Sequence, residues 1–307
     1  MKVPLSLDGV RIDRAVAMVT GLSRSAAAEL VAAGRVRIAG RPAGSRSAPL
    51  VAGTDLEIDV PPPVEKTLIA DGSVPFDVVH EDSDVVVVDK PPGVVVHPGA
   101  GHDSGTLVAG LLARYPDLAG VGDRQRPGIV HRLDRGTSGL LVVARNPAAM
   151  RSLSAQLAAR TAGRRYLALV AGHVGEDRGA VEAPIGRSER HPVRMAVSER
   201  GRPARTTYIV LRRLDLPVPS TLLAVRLETG RTHQIRVHLS AIGHPVLGDE
   251  RYGGAGTGSV GLAAGRLALH AAELSFDHPT SGQRNLWSAP CPADLTALIG
   301  GDIPALS

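Results

Sequence analysis

Lysine, aromatic residues and cysteine are all scarce in this chain, and each shortage narrows its chemistry. Lysine occurs only at positions 2, 66 and 90, against 32 arginines. A phosphate-cradling loop of the G-x-x-x-x-G-K-[ST] kind is therefore impossible. Aromatic residues amount to 2% of the chain, too few for a platform that binds single strands by stacking bases on rings. The one cysteine, Cys291, excludes an internal disulfide and a cysteine metal cluster. It stands between two prolines with no base nearby in sequence, so it reads as a buried thiol. Long apolar runs are missing as well. The longest, residues 85–88 and 140–144, fall far short of the ~20 residues a membrane-spanning helix needs. Residues 1–30 are interrupted by Asp8, Arg11, Asp13 and Arg14 and lack the layout of a secretion signal. A cytoplasmic protein with no membrane partner is the expectation.

What is present describes a soluble globular chain. Its 307 residues, 43% hydrophobic and 21% charged, suggest about two domains. The charge is unevenly placed. Between residues 10 and 50, arginines at 11, 14, 24, 35, 37, 41 and 46 face only Asp13 and Glu29, a net of +5. The whole chain also carries +5, so the remainder sums to zero. A basic head on a neutral body is the electrostatic outline of a nucleic-acid anchor, and guanidinium forks suit phosphate oxygens.

The pattern of apolar residues divides the chain at the same place. Ile12, Ala15, Val16 and Val19 repeat at helical spacing. Ser23 can cap a second helix with Ala26, Ala27, Leu30 and Val31 as its buried stripe, and Gly34 ends it. Residues 36–38 and 56–60 read as short strands. This is a helix-helix-strand unit over residues 1–60, followed by a Pro-rich, polar linker over 61–73 and a larger domain over 74–307. In the latter, residues 76–81, 84–90, 140–145, 164–172, 206–214, 221–230 and 267–276 predict strands. Residues 107–115, 147–160 and 232–243 predict helices. Strands outnumber helices and come in runs, so the expected class is α+β with a mixed, mainly antiparallel sheet.

One segment, HRLDRGTSGLLVVAR at 131–145, carries the chemistry. It sets Asp134 behind His131 and Arg132 and ahead of Arg135, in a loop that feeds a buried strand. A carboxylate there is held firmly yet stays reachable. By residue type alone it equals an ordinary loop aspartate paired with an arginine, Tyr166 equals a strand core residue, and Arg236 a helix-surface charge. GTGSVG at 256–261 matches G-x-G-x-x-G, but no strand precedes it and it reads as a loop. His233, His238 and His244 are not spaced to ligate a metal from one helical face, and His233 and His238 suit structural hydrogen bonds.

Several segments in one order resemble the RluA/RluD family of RNA pseudouridine synthases. HRLDRGTSGLLVVAR is similar to the family's signature around its catalytic aspartate, and RRYLALVAG to the strand with its active-site tyrosine. GRTHQIRVHLSAIGHPVLGDERYG resembles the motif with its basic residue. KPPGVVVHPGAG resembles an early core loop and RLALHAAELSFDHP a late segment. The basic head resembles the S4 RNA-binding domain. Gly136 departs from the family, where many members carry a polar or acidic residue.

The resemblance implies an S4 head before a pseudouridine synthase domain, and isomerisation of uridine in RNA, most nearly 23S ribosomal RNA as in the D-type large-subunit enzymes. It implies Asp134 as nucleophile or base, Arg236 as the cation paired with it, and Tyr166 as the ring packing on the base. Arg132 would fill the gap left by the extruded nucleotide, with His131 and Arg135 as further substrate contacts. In the head, Arg11, Arg14, Arg24, Arg35 and Arg37 would meet RNA. Isomerisation adds and removes no group, so neither cofactor nor metal is expected, and a monomer is the default. The competing expectations are a non-catalytic RNA-binding or ribosome-assembly factor, a member acting on tRNA, and a glycosidase; the last needs a second acid that the motif lacks.

Overall fold

A computed structural model describes residues 1–62, 67–99, 104–191, 193–253, 261–301 and 303–304. Residues 256–260 of GTGSVG and 100–102 of the HPGAGH loop lie outside the described residues. The chain falls into two compact units, Met1–Lys66 and Thr67–Ser307.

The first unit opens with α1 (Ile12–Thr20) and α2 (Arg24–Ala32). Ser23 caps α2 as its sequence predicts, its hydroxyl accepting from the Ala26 amide at 3.2 Å. Gly21 closes α1 in the left-handed region. A three-stranded antiparallel sheet follows, ordered β2 (Arg41–Pro42), β1 (Val36–Ile38), β3 (Leu56–Ile58). Ile12, Val16, Ala27, Leu30, Val36 and Leu56 close over one another as its core. Much of the expected linker is anchored in the second unit: Leu68 packs on that unit's core and the Asp71 amide donates to Ala109 O at 2.9 Å.

The second unit is built on one large sheet. Its strands are β4 (Asp77–Glu81), β5 (Val85–Lys90), β6 (Ser138–Ala144), β7 (Gly163–Ala171), β8 (Arg178–Glu182), β11 (Arg205–Leu214), β12 (Ser220–Leu227), β13 (Leu269–Asp277) and β14 (Arg284–Ser288). The order is β4-β5-β6-β13-β7-β12-β11-β8, with β14 added on β13. Every pairing is antiparallel except β13 on β6. A small hairpin, β9 (Ile185–Arg187) with β10 (Met195–Val197), lies outside this sheet. The helices are α3 (Leu107–Arg114), α4 (Pro147–Ala159), α5 (Gln234–Ala241) and α6 (Ala293–Ile299).

The apolar runs of β5 and β6 are explained by cover on both faces. Val86, Val88, Leu141 and Val143 pack on the face that receives Leu107 and Leu111 of α3. Val85, Val87, Leu140 and Val142 pack on the opposite face with Ala149 and Leu153 of α4. The edges β4, β8 and β14 alternate between exposed and half-buried residues instead.

The candidate active site

Asp134 sits in the loop that enters β6, and that loop is fixed from three directions. Lys90, fully buried at the end of β5, donates from Nζ to Pro91 O, Val94 O and Arg135 O at 2.8, 3.0 and 3.5 Å. Three carbonyls match its three N–H groups. Burial pulls the Lys90 pKa down to about 7, against the attraction of Asp134. On the other side Arg266, 3% exposed, donates to Gly136 O at 3.0 Å and is held by Asp294 at 2.7 Å. Gly136 itself presses on residues 265–267: a Cβ there would stand 2.3 Å from Gly265 O and 2.9 Å from Leu267 Cγ. The departure from the family pattern at 136 is therefore a close-packing requirement in this chain.

Arg236 reaches Asp134 from the first turn of α5, its Nη1 donating to Oδ2 at 2.9 Å. The same guanidinium grips Asp249 with two further bonds, Nε to Oδ2 at 2.6 Å and Nη2 to Oδ1 at 2.9 Å. It also lies 5.0 Å from the centre of the Tyr252 ring. Burial opposes the charge on Arg236, but the Asp249 hydrogen bonds and the charges of Asp134 and Asp249 outweigh it and raise its pKa above the ordinary guanidinium value. The helix start is locked by Gln234, whose amide bonds Thr229 Oγ1, Arg231 N, Arg205 O and Thr206 Oγ1. Fixed in this way, Arg236 is aimed rather than left as the surface charge its helical position suggests.

Two further neighbours complete the site: Asp249, which sequence assigned no role, and His233, which it expected only to make structural hydrogen bonds. Asp249 stands within the quoted GDERYG segment, but nothing in its spacing shows that it holds Arg236. His233 adopts a left-handed backbone, φ 56°, immediately before α5. Its Nε2 lies 3.8 Å from Asp134 Oδ1 and its Nδ1 2.8 Å from the Tyr252 hydroxyl. That hydroxyl accepts from Met195 N at 3.1 Å, which leaves its own hydrogen for Nδ1 and places the imidazole N–H toward Asp134. Burial lowers the His233 pKa, Asp134 opposing and Arg236 adding to the shift. His238 is structural: it bonds Thr206 Oγ1 and Ala183 O at 2.9 Å each.

Tyr166 is 4% exposed on β7, paired with Val225 of β12 and Ala271 of β13. Burial raises its pKa, with Arg164 opposing and Asp134 adding to the shift. It shares the walls of a narrow recess of about 50 Å³ with Asp134 and Arg236. This recess adjoins two larger hollows. One of about 730 Å³ is bordered by Arg132, Asp134, Arg135, His233 and Arg236. The other, about 370 Å³, is bordered by His131, Arg132, Asp134, Arg164 and Tyr166. Arg132 is exposed and lies along all three. Arg135 donates from Nε to Gly93 O at 3.1 Å. His131 Nε2 accepts from Val142 N at 3.1 Å, so one side of its ring is spent on holding β6. Burial, then the charge of Arg164, pushes its pKa down to about 3.

Of the five arginines expected to meet RNA in the first unit, Arg11 and Arg24 both pair with Asp13, at 2.9 and 3.4 Å, and Arg35 pairs with Asp59 at 2.7 Å. Arg14 and Arg37 are exposed and form no ion pair among the described residues. No single helix there is long and apolar enough to cross a membrane.

Comparison with known proteins agrees with this architecture. The family model described as RNA pseudouridylate synthase matches residues 84–241. The "Uncharacterized RNA pseudouridine synthase" of Chloroflexus aurantiacus is 49% identical, covering 97% of this chain and 91% of that protein. The "Ribosomal large subunit pseudouridine synthase D" of Xanthomonas campestris is 42% identical over 97% of this chain and 90% of its own length. The structure of "Human RNA Pseudouridylate Synthase Domain Containing 1" superposes with a TM-score of 0.58 at 30% identity, covering 77% of this chain and all of that one. The chain, with its α+β fold and its part-buried Asp134–Arg236 pair, belongs to the RNA pseudouridylate synthase family, the enzymes that convert uridine in RNA to its carbon-linked isomer.

Proposed function

We propose that this chain isomerises specific uridines of 23S ribosomal RNA, with Asp134 as the residue that acts on the nucleoside. The observation that carries this is the state of the Asp134 carboxylate. Its Oδ2 is bonded to Arg236, Oδ1 has no hydrogen bond among the described residues, and the residue borders all three hollows. Arg236 holds one oxygen of the carboxylate, and the other is left to meet a substrate. Attack on the sugar, attack on the base and removal of a sugar proton are all open to such a group. Tyr166, beside it, supplies a ring for the base and a phenol for a proton transfer. Arg132, exposed along the rim of all three hollows, suits the place vacated when the uridine leaves its stack. His131 and Arg135 border the same space. No metal or cofactor is needed, since the product has the atoms of the substrate.

The resemblance to a large-subunit enzyme of D type supports ribosomal RNA as substrate, and the arginine-rich first unit supports an S4-type RNA anchor. We take residues 1–60 as that anchor, 61–73 as the linker and 74–307 as the catalytic domain, in a monomeric cytoplasmic enzyme. Incubation with RNA tritiated at uridine C5 tests the chemistry, because isomerisation releases that hydrogen. Asp134→Asn should abolish release while RNA binding persists. Release by Asp134→Asn would overturn the assignment of the residue. Mapping pseudouridines in a strain without the gene tests the target: loss confined to tRNA would overturn the ribosomal assignment, and no loss anywhere would favour a non-catalytic assembly factor.

A further inference from the structure

We infer that Arg164 is an anion-binding residue that holds a phosphodiester of the RNA backbone next to the uridine being isomerised, in the 370 Å³ hollow beside Asp134 and Tyr166. This deepens the proposed function and rests on it. Arg164 lies on β7, two residues before Tyr166, and is 7% exposed. Its Nε is sealed from solvent without a hydrogen-bond partner. Its terminal nitrogens make no hydrogen bond or ion pair among the described residues, and the side chain borders the hollow. A buried guanidinium without a counter-charge is costly to keep out of water, so it is retained where a ligand supplies the missing anion. By contrast, the two other buried arginines of this unit's core are paired with carboxylates, Arg236 with Asp134 and Asp249, and Arg266 with Asp294.

The surroundings fit an anion better than a neutral acceptor. Four arginines border this hollow, at 126, 132, 164 and 231, against the single carboxylate Asp134, one oxygen of which Arg236 holds. Arg126 is paired with Asp123 at 3.4 Å and Arg231 donates to Pro203 O at 3.1 Å. Arg132 and Arg164 are thus the cations of this hollow that have neither a hydrogen bond nor an ion pair among the described residues. A uracil carbonyl would satisfy N–H groups without balancing the charge, whereas a phosphodiester does both, and a guanidinium fork matches two of its oxygens. The chain also leaves room for the fork. At Gly230, opposite Arg164, a Cβ would stand 2.8 Å from Nη1. A side chain there would push the guanidinium aside.

The test is a cycle between Arg164→Met and a single neutral methylphosphonate linkage placed on either side of the mapped uridine in a hairpin substrate. Arg164→Met should lower kcat/KM about 10- to 100-fold, the loss of one hydrogen-bonded charge. At one of the two linkages the methylphosphonate should cost the wild type a similar factor and cost Arg164→Met nothing further. Arg164→Lys, which keeps the charge, should recover part of the rate. Thermal unfolding without RNA should show Arg164→Met as stable as the wild type or more so, because an unbalanced buried charge has been removed. Additive losses at both linkages, a loss that tracks a lowered Tm, or no loss at all would each overturn the inference. A wild-type enzyme inert on unmodified RNA would instead overturn the isomerase reading on which it rests.

Discussion

Replacing Asp249 by Asn tests whether the Asp134–Arg236 contact is an aimed one. Asp249 and Arg236 have side chains only 1% and 9% exposed and share two short bonds, at 2.6 and 2.9 Å. The substitution keeps the shape, removes the charge and turns an acceptor into a donor facing a guanidinium. Breaking a buried pair from one side costs about 3–5 kcal/mol. In a unit the size of residues 67–307, each kcal/mol moves the midpoint by about 2–4 °C, so its transition should fall by about 6–20 °C in calorimetry. Tritium release from C5-labelled RNA, measured below the new midpoint, should fall about 100-fold, because a guanidinium released on one side no longer holds Asp134 in place. The paired replacement Arg236→Met with Asp249→Leu separates the two effects. Removing both charges together should restore most of the stability, since well-packed apolar residues substitute for a buried pair. It should restore no activity, since Asp134 has no cation. An Asp249→Asn protein with unchanged midpoint and rate, or an active double variant, would refute the reasoning.

Other consequences follow from the same geometry. His270, 0% exposed, has its pKa pushed by burial down to about 4, and His131 is pushed to about 3. The unfolded chain takes up these protons below about pH 6.5 while the folded one does not, so stability should fall as pH drops from 6.5 toward 4. For His270 alone that is about 2 kcal/mol at pH 5; chemical denaturation at pH 7 and 5 that gives equal stability would contradict it. Gly136→Ala should cost 1–3 kcal/mol or more and most of the activity, as its Cβ meets Gly265 O at 2.3 Å. Gly120→Ala, where a Cβ meets nothing within 4 Å, is the control; equal rates for the two would show the loop yields. In the first unit, Arg14→Gln with Arg37→Gln should weaken RNA binding and reduce the salt slope by nearly 2, whereas Arg35→Gln, already paired with Asp59, should do less. Affinity titrations at several salt concentrations that rank the three alike would oppose this.

The elements that sequence made legible are those whose signal is local. Ser23 ahead of Ala26 is a local signal for a helix cap, and the apolar runs at 85–88 and 140–144 read as buried strands, which the structure covers on both faces. The strands β8, β9, β10 and β14 and the helix α6 left little trace, because they are too short to show a periodicity and are held by pairing or docking. A polar stretch such as 67–73 reads as linker until the partner for Asp71 N is known. The site divides in the same way. Asp134, Tyr166 and Arg236 are named by their motifs, but by residue type each equals a commonplace loop acid, core tyrosine or surface arginine.

Charge distribution, the exclusion of an internal disulfide and the ordered motifs were settled by the sequence alone, because composition and local pattern do not depend on what folds against what. Only the tertiary structure could place Arg236, 102 residues on from Asp134, at 2.9 Å from it, and put Asp249 behind that arginine. It alone left Arg164 buried without a counter-charge. The physical reason is that pairing, burial and orphaned charge are properties of neighbours in space, and the β6-β13-β7 order of the sheet chooses those neighbours.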